Sequence, residues 1–372
     1  MRIALVVTGG LHPSGREQVV PSWLSLFGRL ARNHTVQAFV LRHLPEASTY
    51  ELHGIVVHDL GRPSAPFGLT TWVQQRALVR AIDGSGPFDL IHGFWGDPAA
   101  LLATRAARHF SIPSVVTLDS GEFASLPDIE YGSQRTRRGR ARVREACLGA
   151  TRVHVCTRFM AREVEKFGVT PVIIPLGVDE PKGSSPRVGE GPPWRLLQVA
   201  SLSRVKDQAR LIDALAILAE SADVYLDLVG EDTVGGALQA RASALGVRDR
   251  ITFHGFVPHD QIAAIRKRAH LYVQTSRHES AGVAVLEAAA EGLPVIGTPV
   301  GYVADWAPER AFAFAGKSVK SVAVAIATLL KDPDRRQRLA EAAHDFARAH
   351  DADQTAEEIV KMYDALHIFH DG

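Results

Sequence analysis

The sequence predicts an α/β protein made of two doubly wound parallel-sheet domains. Short apolar runs alternate with helical patterns along the chain, as parallel strands and crossover helices do. That alternation stops at a stretch rich in Pro, Gly and Ser, PKGSSPRVGEGPPW, and then starts again. At 372 residues the chain exceeds a typical single domain and suits two.

In order, the first set of strand-like runs is RIALVV, TVQAFVL, GIVVHDL, FDLIHG, SVVTL, RVHVC and VIIPL. A helical segment from Gln18 to Asn33 separates the first two. The second set is RLLQVA, VYLDLVG, ITFHG, LYVQT, PVIGT and AFAFA. The expected domains are residues 1–178 and 179–351, with the boundary lying between Gly177 and Trp194. From Val319 onward the pattern is helical. The final helix, Thr355 to Leu366, has apolar positions at Ala356, Ile359, Val360, Tyr363 and Ile368 that require a partner.

Apolar content of 46% and charged content of 22% describe an ordinary globular protein. A net charge of +1 argues against a nucleic-acid partner, which normally draws a strong basic excess. Cys147 and Cys156 are the only cysteines, so neither a disulfide framework nor a Cys-based metal site is expected, and a reducing, cytoplasmic setting fits. MRIALVV reads as a first buried strand rather than a signal sequence. No apolar stretch approaches the roughly 20 residues that span a bilayer. Membrane contact, at the inner face, is therefore expected to be peripheral.

Two α/β domains could also bind a nicotinamide cofactor, but the phosphate loops argue otherwise. Gly9, Gly10 and Gly15 do not form Gly-x-Gly-x-x-Gly, and no acidic residue closes the second strand. The second domain's first strand ends in Ala-Ser-Leu-Ser-Arg-Val-Lys-Asp, without glycine. Gly9 and Gly10 could instead bring backbone amides to a diphosphate or an acceptor, or simply make a turn; His12 is a weaker ligand candidate beside them.

The stretch SRHESAGVAVLEAAAEGLPVIGTPVG places Glu279 on a loop after a strand and Glu287 inside the following helix, with Gly282 at the helix start. Carboxylates accept from sugar hydroxyls, while helix-start amides and the helix dipole favour phosphate. A nucleotide sugar has both groups; two ordinary surface glutamates are the plain alternative. Arg204 and Lys206 lie on the loop after RLLQVA, where cations could neutralise a diphosphate and the charge on a departing nucleotide. Gly230 and Glu231 end one strand, and Phe256 and Val257 follow the next, on the same sheet edge.

This Glu-x7-Glu region, together with Ile-Pro-Leu-Gly-Val-Asp ending at Asp179, resembles the retaining glycosyltransferases of family 4. The resemblance implies the GT-B architecture, two Rossmann-like domains facing across a cleft, with the last helix, residues 352–368, packing back on the first domain. It implies a nucleoside-diphosphate sugar donor, no required metal or other cofactor, and a hydroxyl acceptor that is a glycan, a lipid-linked or a small molecule. By the same resemblance Glu279 binds donor-sugar hydroxyls, Glu287 binds the ribose, Ala281, Gly282 and Val283 present amides to phosphate, and the Phe256–Val257 region lines the base.

Two positions depart from the family pattern. Ser201 stands where the family has arginine, with Arg204 nearby as a substitute charge, and Asp119 stands where histidine is common. Asp119 and Glu122 can only accept hydrogen bonds when ionised, so they either bind sugar or acceptor hydroxyls or leave the histidine's role to another residue. Arg135, Arg137, Arg138, Arg140, Arg142 and Arg144 crowd one predicted helix, either as a solvated face or as contacts to an anionic acceptor or membrane headgroups. The expected activity is retaining hexosyl transfer; a sugar-nucleotide epimerase, a phosphorylase-like enzyme and a non-catalytic nucleotide-sugar module are the alternatives.

Overall fold

The computed structural model describes residues 1–64, 69–179, 185–186, 189–307 and 312–367. In chain order its elements are β1 (Arg2–Val7), α1 (Pro21–Leu30), β2 (Thr35–Val40), β3 (Ser48–Leu52), β4 (Ile55–Asp59), α2 (Thr70–Gly84), β5 (Leu90–Phe94), α3 (Leu101–Phe110), β6 (Ser114–Thr117), α4 (Arg137–Gly149), β7 (Arg152–Val155), α5 (Arg158–Glu165) and β8 (Val172–Ile173). They continue with β9 (Trp194–Val199), α6 (Gln208–Ala219), β10 (Val224–Val229), α7 (Ala237–Ala244), β11 (Ile251–Gly255), α8 (His259–Arg266), β12 (Leu271–Gln274), α9 (Val283–Ala290), β13 (Val295–Gly297), α10 (Gly301–Trp306), β14 (Ala313–Phe314), α11 (Val319–Leu330), α12 (Pro333–Ala349) and α13 (Ala352–His367). The chain divides into two compact units: Met1–Leu176 with Ala352–Gly372, and Gly177–Asp351.

The first unit holds an eight-stranded sheet in the order β3-β4-β2-β1-β5-β6-β7-β8. Every neighbour pair is parallel except β3 with β4. Strands β1, β5 and β6 are buried almost throughout, as expected where helices cover both faces of a parallel sheet. The short strand β3 was not expected from the sequence: STYEL buries only Leu52 and sits at the sheet's edge.

Helix α13 docks on this unit. Asp353 pairs with Arg29 of α1 at 2.7 Å, Ile359, Tyr363 and Leu366 are buried, and Thr355 Oγ1 donates to the Pro175 carbonyl. Ile368, named above as an apolar position of this helix, lies outside the described residues.

A buried polar chain ties α13 to the sheet. His154 Nε2 bonds the Ile174 carbonyl, which can only accept, so with both histidines neutral every proton in the chain is assigned. Thr117 Oγ1 donates to His154 Nδ1 at 2.7 Å, His92 Nε2 donates to Thr117 Oγ1 at 2.7 Å, and the Tyr363 hydroxyl donates to His92 Nδ1. Burial lowers both histidines, His154 to about 4, which keeps them neutral and the chain complete.

The second unit holds a fully parallel six-stranded sheet in the order β11-β10-β9-β12-β13-β14. Its core brings Leu196, Leu226, Leu228 and Val273 of the sheet against Leu211 and Leu215 of α6 and Val322, Ile326 and Leu329 of α11. Strand β9 lies between β10 and β12, so the connections leave it in opposite directions. In open α/β sheets this switch point, at the carboxyl ends of the strands, is where ligands bind.

Candidate active site

Lys206 and Glu279 meet at the switch point of the second unit. The loop from β9 to α6 is closed by the Lys206 and Asp207 amides, both bonded to the Ser203 carbonyl. Asp207 caps α6 from a left-handed backbone (φ 52°), its carboxylate accepting from the Arg210 amide. The loop from β12 is pinned to it: Thr275 Oγ1 donates to the Lys206 carbonyl and the Arg277 amide to the Val205 carbonyl. In consequence Lys206 Nζ lies 2.6 Å from Glu279 Oε1, which also accepts from Ser276 Oγ at 2.6 Å. Lysine and carboxylate are both largely shielded, so the pair is aimed and only partly hydrated.

Helix α9 opens beside this pair. Gly282 is its N-cap at φ 84°, without a side-chain cap, and a Cβ there would fall 2.9 Å from Gln274 Oε1. The first turn therefore leaves amides of the Val283 segment unsatisfied by the helix itself, a ready position for an anion. Ala281 is buried, and its carbonyl accepts from the Tyr302 amide at 2.8 Å. The Gln274 Nε2 group beneath this helix start is buried without a partner.

Glu287 lies a turn further along α9 in a four-residue charge cluster. Its Oε1 is 2.7 Å from His259 Nε2 and its Oε2 is 3.0 Å from Arg266 Nη1; Arg266 Nε also pairs with Glu291 at 2.8 Å. Burial pushes the Glu287 carboxyl up, but the His259 hydrogen bond and the Arg266 charge outweigh it and hold the group below the ordinary glutamate range. The hydrogen bond to Glu287 raises His259. His259, Arg266 and Glu291 were not anticipated, since 21 to 28 residues separate Glu287 from its two cationic partners and no motif links them.

The remaining expected donor residues are spread along the same edge. Arg204 is exposed, as is Ser201. Gly230 (φ 146°) allows close packing: a Cβ would fall 2.0 Å from the Ala200 carbonyl, so its lack of a side chain lets the β10 turn pass the β9 loop. The Glu231 carbonyl accepts from the Leu202 amide, leaving an exposed residue. Phe256 is half exposed, and Val257 is partly buried after β11.

In the first unit, β1 and β5 mark the corresponding switch point. Gly9 and Gly10 follow β1, and Gly10 (φ 84°) packs against Val20 and Trp23. His12 Nδ1 lies 2.9 Å from Ser14 Oγ in the same loop. After β6, Asp119 Oδ2 accepts from Trp23 Nε1 at 3.2 Å, and its Oδ1 is buried without a partner. Burial and the Glu122 charge push the Asp119 carboxyl up to about 8. Glu122 is buried, raised by that burial, and its two oxygens accept from the Gly96 and Ser120 amides at 2.8 Å. That geometry makes Glu122 a brace between two loops. Trp95, also unanticipated, holds φ 66° at the end of β5 with its ring 4.6 Å from that of Trp23, a backbone strain that clusters at functional sites.

The arginine cluster is less uniform than the sequence suggested. Arg135 sits in a separate turn before α4, and Arg142 is not on a solvated face: it pairs with Asp97 at 3.0 Å and donates to Thr71 Oγ1. Arg137 and Arg138 are exposed in the first turn of α4.

A family model described as glycosyltransferase family 4 matches residues 21–181, and one described as glycosyl transferases group 1 matches residues 185–346. The chain belongs to glycosyltransferase family 4. This family 4 chain has the GT-B fold: sucrose-phosphate synthase from Thermosynechococcus elongatus superposes with a TM-score of 0.82 at 18% identity, covering 99% of this chain and 100% of that one. Anabaena HepE in complex with UDP and glucose gives 0.77 at 18% identity, covering 98% and 100%. Among sequence relatives, a GDP-mannose-dependent α-(1-6)-phosphatidylinositol dimannoside mannosyltransferase of Mycobacterium tuberculosis is 31% identical over 196 residues, 50% of each chain. A D-inositol 3-phosphate glycosyltransferase of Segniliparus rotundus is 29% identical over 231 residues, 56% of this chain and 49% of that one. The family 4 chain thus spans about half the length of these curated relatives.

Proposed function

We propose that this family 4 protein is a retaining glycosyltransferase that moves a hexose from a nucleoside-diphosphate sugar to a hydroxyl acceptor. The observation that carries the proposal is Lys206 held 2.6 Å from Glu279 beside the uncapped start of α9. A diphosphate entering there meets one ammonium and the helix-start amides around Gly282 and Val283. Glu279 then accepts from hydroxyls of the sugar, and Glu287, on the next turn, from those of the ribose. Phe256 and Val257 flank the base, and Arg204, exposed on the Lys206 loop, is free to swing toward the phosphates. The relatives' names, one GDP-mannose-dependent, support a nucleotide-sugar donor.

In the reaction the bond between the sugar's anomeric carbon and the diphosphate oxygen breaks, and the bonding pair leaves with the nucleoside diphosphate. Lys206 neutralises that charge as it forms, so no metal is invoked. The acceptor oxygen bonds the anomeric carbon on the face the phosphate left, and its proton passes to a leaving-phosphate oxygen. The first unit's sheet edge, with Gly9, Gly10, His12 and Asp119, is assigned to the acceptor.

The test is to incubate the protein with UDP-, GDP- and ADP-hexoses and a set of hydroxyl acceptors. Nucleoside diphosphate release and the anomeric configuration of the product by NMR are the readouts. Transfer with the donor's configuration kept is the expected result. An inverted product, or an isomerised sugar nucleotide formed without acceptor, overturns it.

A further inference from the structure

Helices α2 and α4 of the first unit expose apolar and cationic side chains side by side. At the start of α2, Leu69 is 50% and Trp72 56% exposed, while Gln74, Leu78 and Ile82 bury the opposite face. The Arg76 guanidinium lies 4.6 Å from the centre of the Trp72 ring, and Arg80 follows one turn later, exposed. On α4, Val143, Ala146 and Cys147 face the core. Arg137, Ala141, Arg144 and Leu148 recur at helical spacing along the exposed side, with Leu148 53% exposed.

The two helices are locked together at this point. Arg142 donates to Thr71 Oγ1 and pairs with Asp97, which holds the start of α2 against α4. Arg138 lies one turn before Arg142 on α4 and is exposed. Two carboxylates of this region are already paired, Asp97 with Arg142 and the 40% exposed Glu145 with Arg105 at 2.7 Å, while exposed Asp83 follows Arg80 on α2. Neither paired carboxylate is left over for Arg137, Arg138 or Arg144.

The arginines also oppose the local helix electrostatics. Neither α2 nor α4 has an acidic residue in its first turn, yet α4 begins with Arg137, Arg138 and Arg140, where the dipole disfavours cations. Such a local conflict marks a site that serves something other than folding. An anion outside the helix removes the conflict.

We propose that the start of α2 and the outer side of α4 form a docking surface for an anionic lipid bilayer. Trp72 and Leu69 sit at headgroup depth, as amphipathic aromatic and leucine side chains do, and Arg76, Arg137, Arg138 and Arg144 meet lipid phosphates. Lipid fits better than nucleic acid because one face of Trp72 is already occupied by Arg76 and is lost to base stacking. Leu69 and Leu148 likewise have no use on a phosphate backbone. The whole-chain charge of only +1 makes the positive potential local to this surface. The inference stands apart from the donor reading, since none of these residues lies in the second unit.

Co-sedimentation of the full chain with phosphatidylcholine vesicles, with and without about a third phosphatidylglycerol, tests the surface. The expected result is binding to the anionic vesicles alone and release as salt rises. Each contacting arginine is worth about five-fold in affinity, so Arg137→Glu with Arg138→Glu and Arg144→Glu lowers binding by about a hundred-fold or more at an unchanged melting temperature. Trp72→Ala with Leu69→Ser leaves salt-sensitive binding but lowers its strength and removes the Trp72 share of quenching by brominated lipid. Equal binding to neutral vesicles overturns the proposal, as does wild-type binding by the arginine variant. So does vesicle binding that heparin or DNA abolishes and that ignores the Trp72 and Leu69 changes, which marks a general polyanion surface.

Discussion

On α9, Glu287 has His259 at 2.7 Å and Arg266 at 3.0 Å, and these cations hold its carboxyl below the usual range although burial acts the other way. After β6, Asp119 accepts from the Trp23 indole at 3.2 Å, and burial with the Glu122 charge lifts it to about 8. Both stand near the carboxyl edge of a parallel sheet. The first stays an anion at neutral pH and can only accept hydrogen bonds; the second is a neutral acid with a proton to give. The difference lies in neighbours contributed from distant parts of the chain, which is why two acidic residues of similar sequence appearance acquire opposite chemistry.

The largest effect expected on this contrast comes from the cation. Lys206→Ala removes the ammonium beside Glu279 and lowers kcat/KM by about 100- to 1,000-fold, in the range seen when one charge-stabilising group is deleted from an active site. Steady-state kinetics on the preferred donor measure it. Glu287→Ala comes next and is not a silent change: it strips a buried carboxylate from Arg266 and His259. Because Arg266 keeps Glu291, the loss of stability falls at the lower end of about 3–5 kcal/mol, read by denaturant unfolding.

Tyr363→Phe removes the hydroxyl that donates to His92 Nδ1 in the buried chain and costs about 1–3 kcal/mol by the same measurement. The pH dependence of that chain has a definite sign. His154 is lowered to about 4 in the folded state, so the unfolded chain takes protons first and stability falls as pH drops from about 6.5 toward 4.

Asp119 gives the opposite sign. Its folded pKa is raised, so the folded state keeps a proton that the unfolded chain loses, and stability falls as pH rises toward 8. Asp119→Asn flattens this slope, which cannot exceed about 1.4 kcal/mol per pH unit. Melting temperatures of the two proteins compared from about pH 5 to about pH 8 show it.

Much of the fold was legible because buried parallel strands are apolar runs, as RIALVV and VYLDLV are. Strand β3 was not, since STYEL is mostly exposed; the His53-Gly54 turn after it, with both residues at positive φ, was the available signal for a hairpin. At the site, Lys206, Glu279 and Gly282 could be placed together because the crossover rule brings β9 and β12 to one edge. Which group partners Glu287 could not be read, because α8 and α9 meet only through folding. Arg142 looked like its neighbours on α4, and only the approach of Asp97 and Thr71 separates it from them. Polar residues inside strands, such as His92, Thr117 and His154, likewise gain meaning only from register.

The Lys206–Glu279 pair and the start of α9 are proposed to hold a nucleoside diphosphate. Calorimetric titration of UDP, GDP and ADP into the wild-type protein and into Lys206→Ala tests it most directly. One of the three is expected to bind, and Lys206→Ala to weaken it at least about ten-fold in a protein that stays folded. A folded protein that binds none of them, or an affinity indifferent to Lys206, contradicts it.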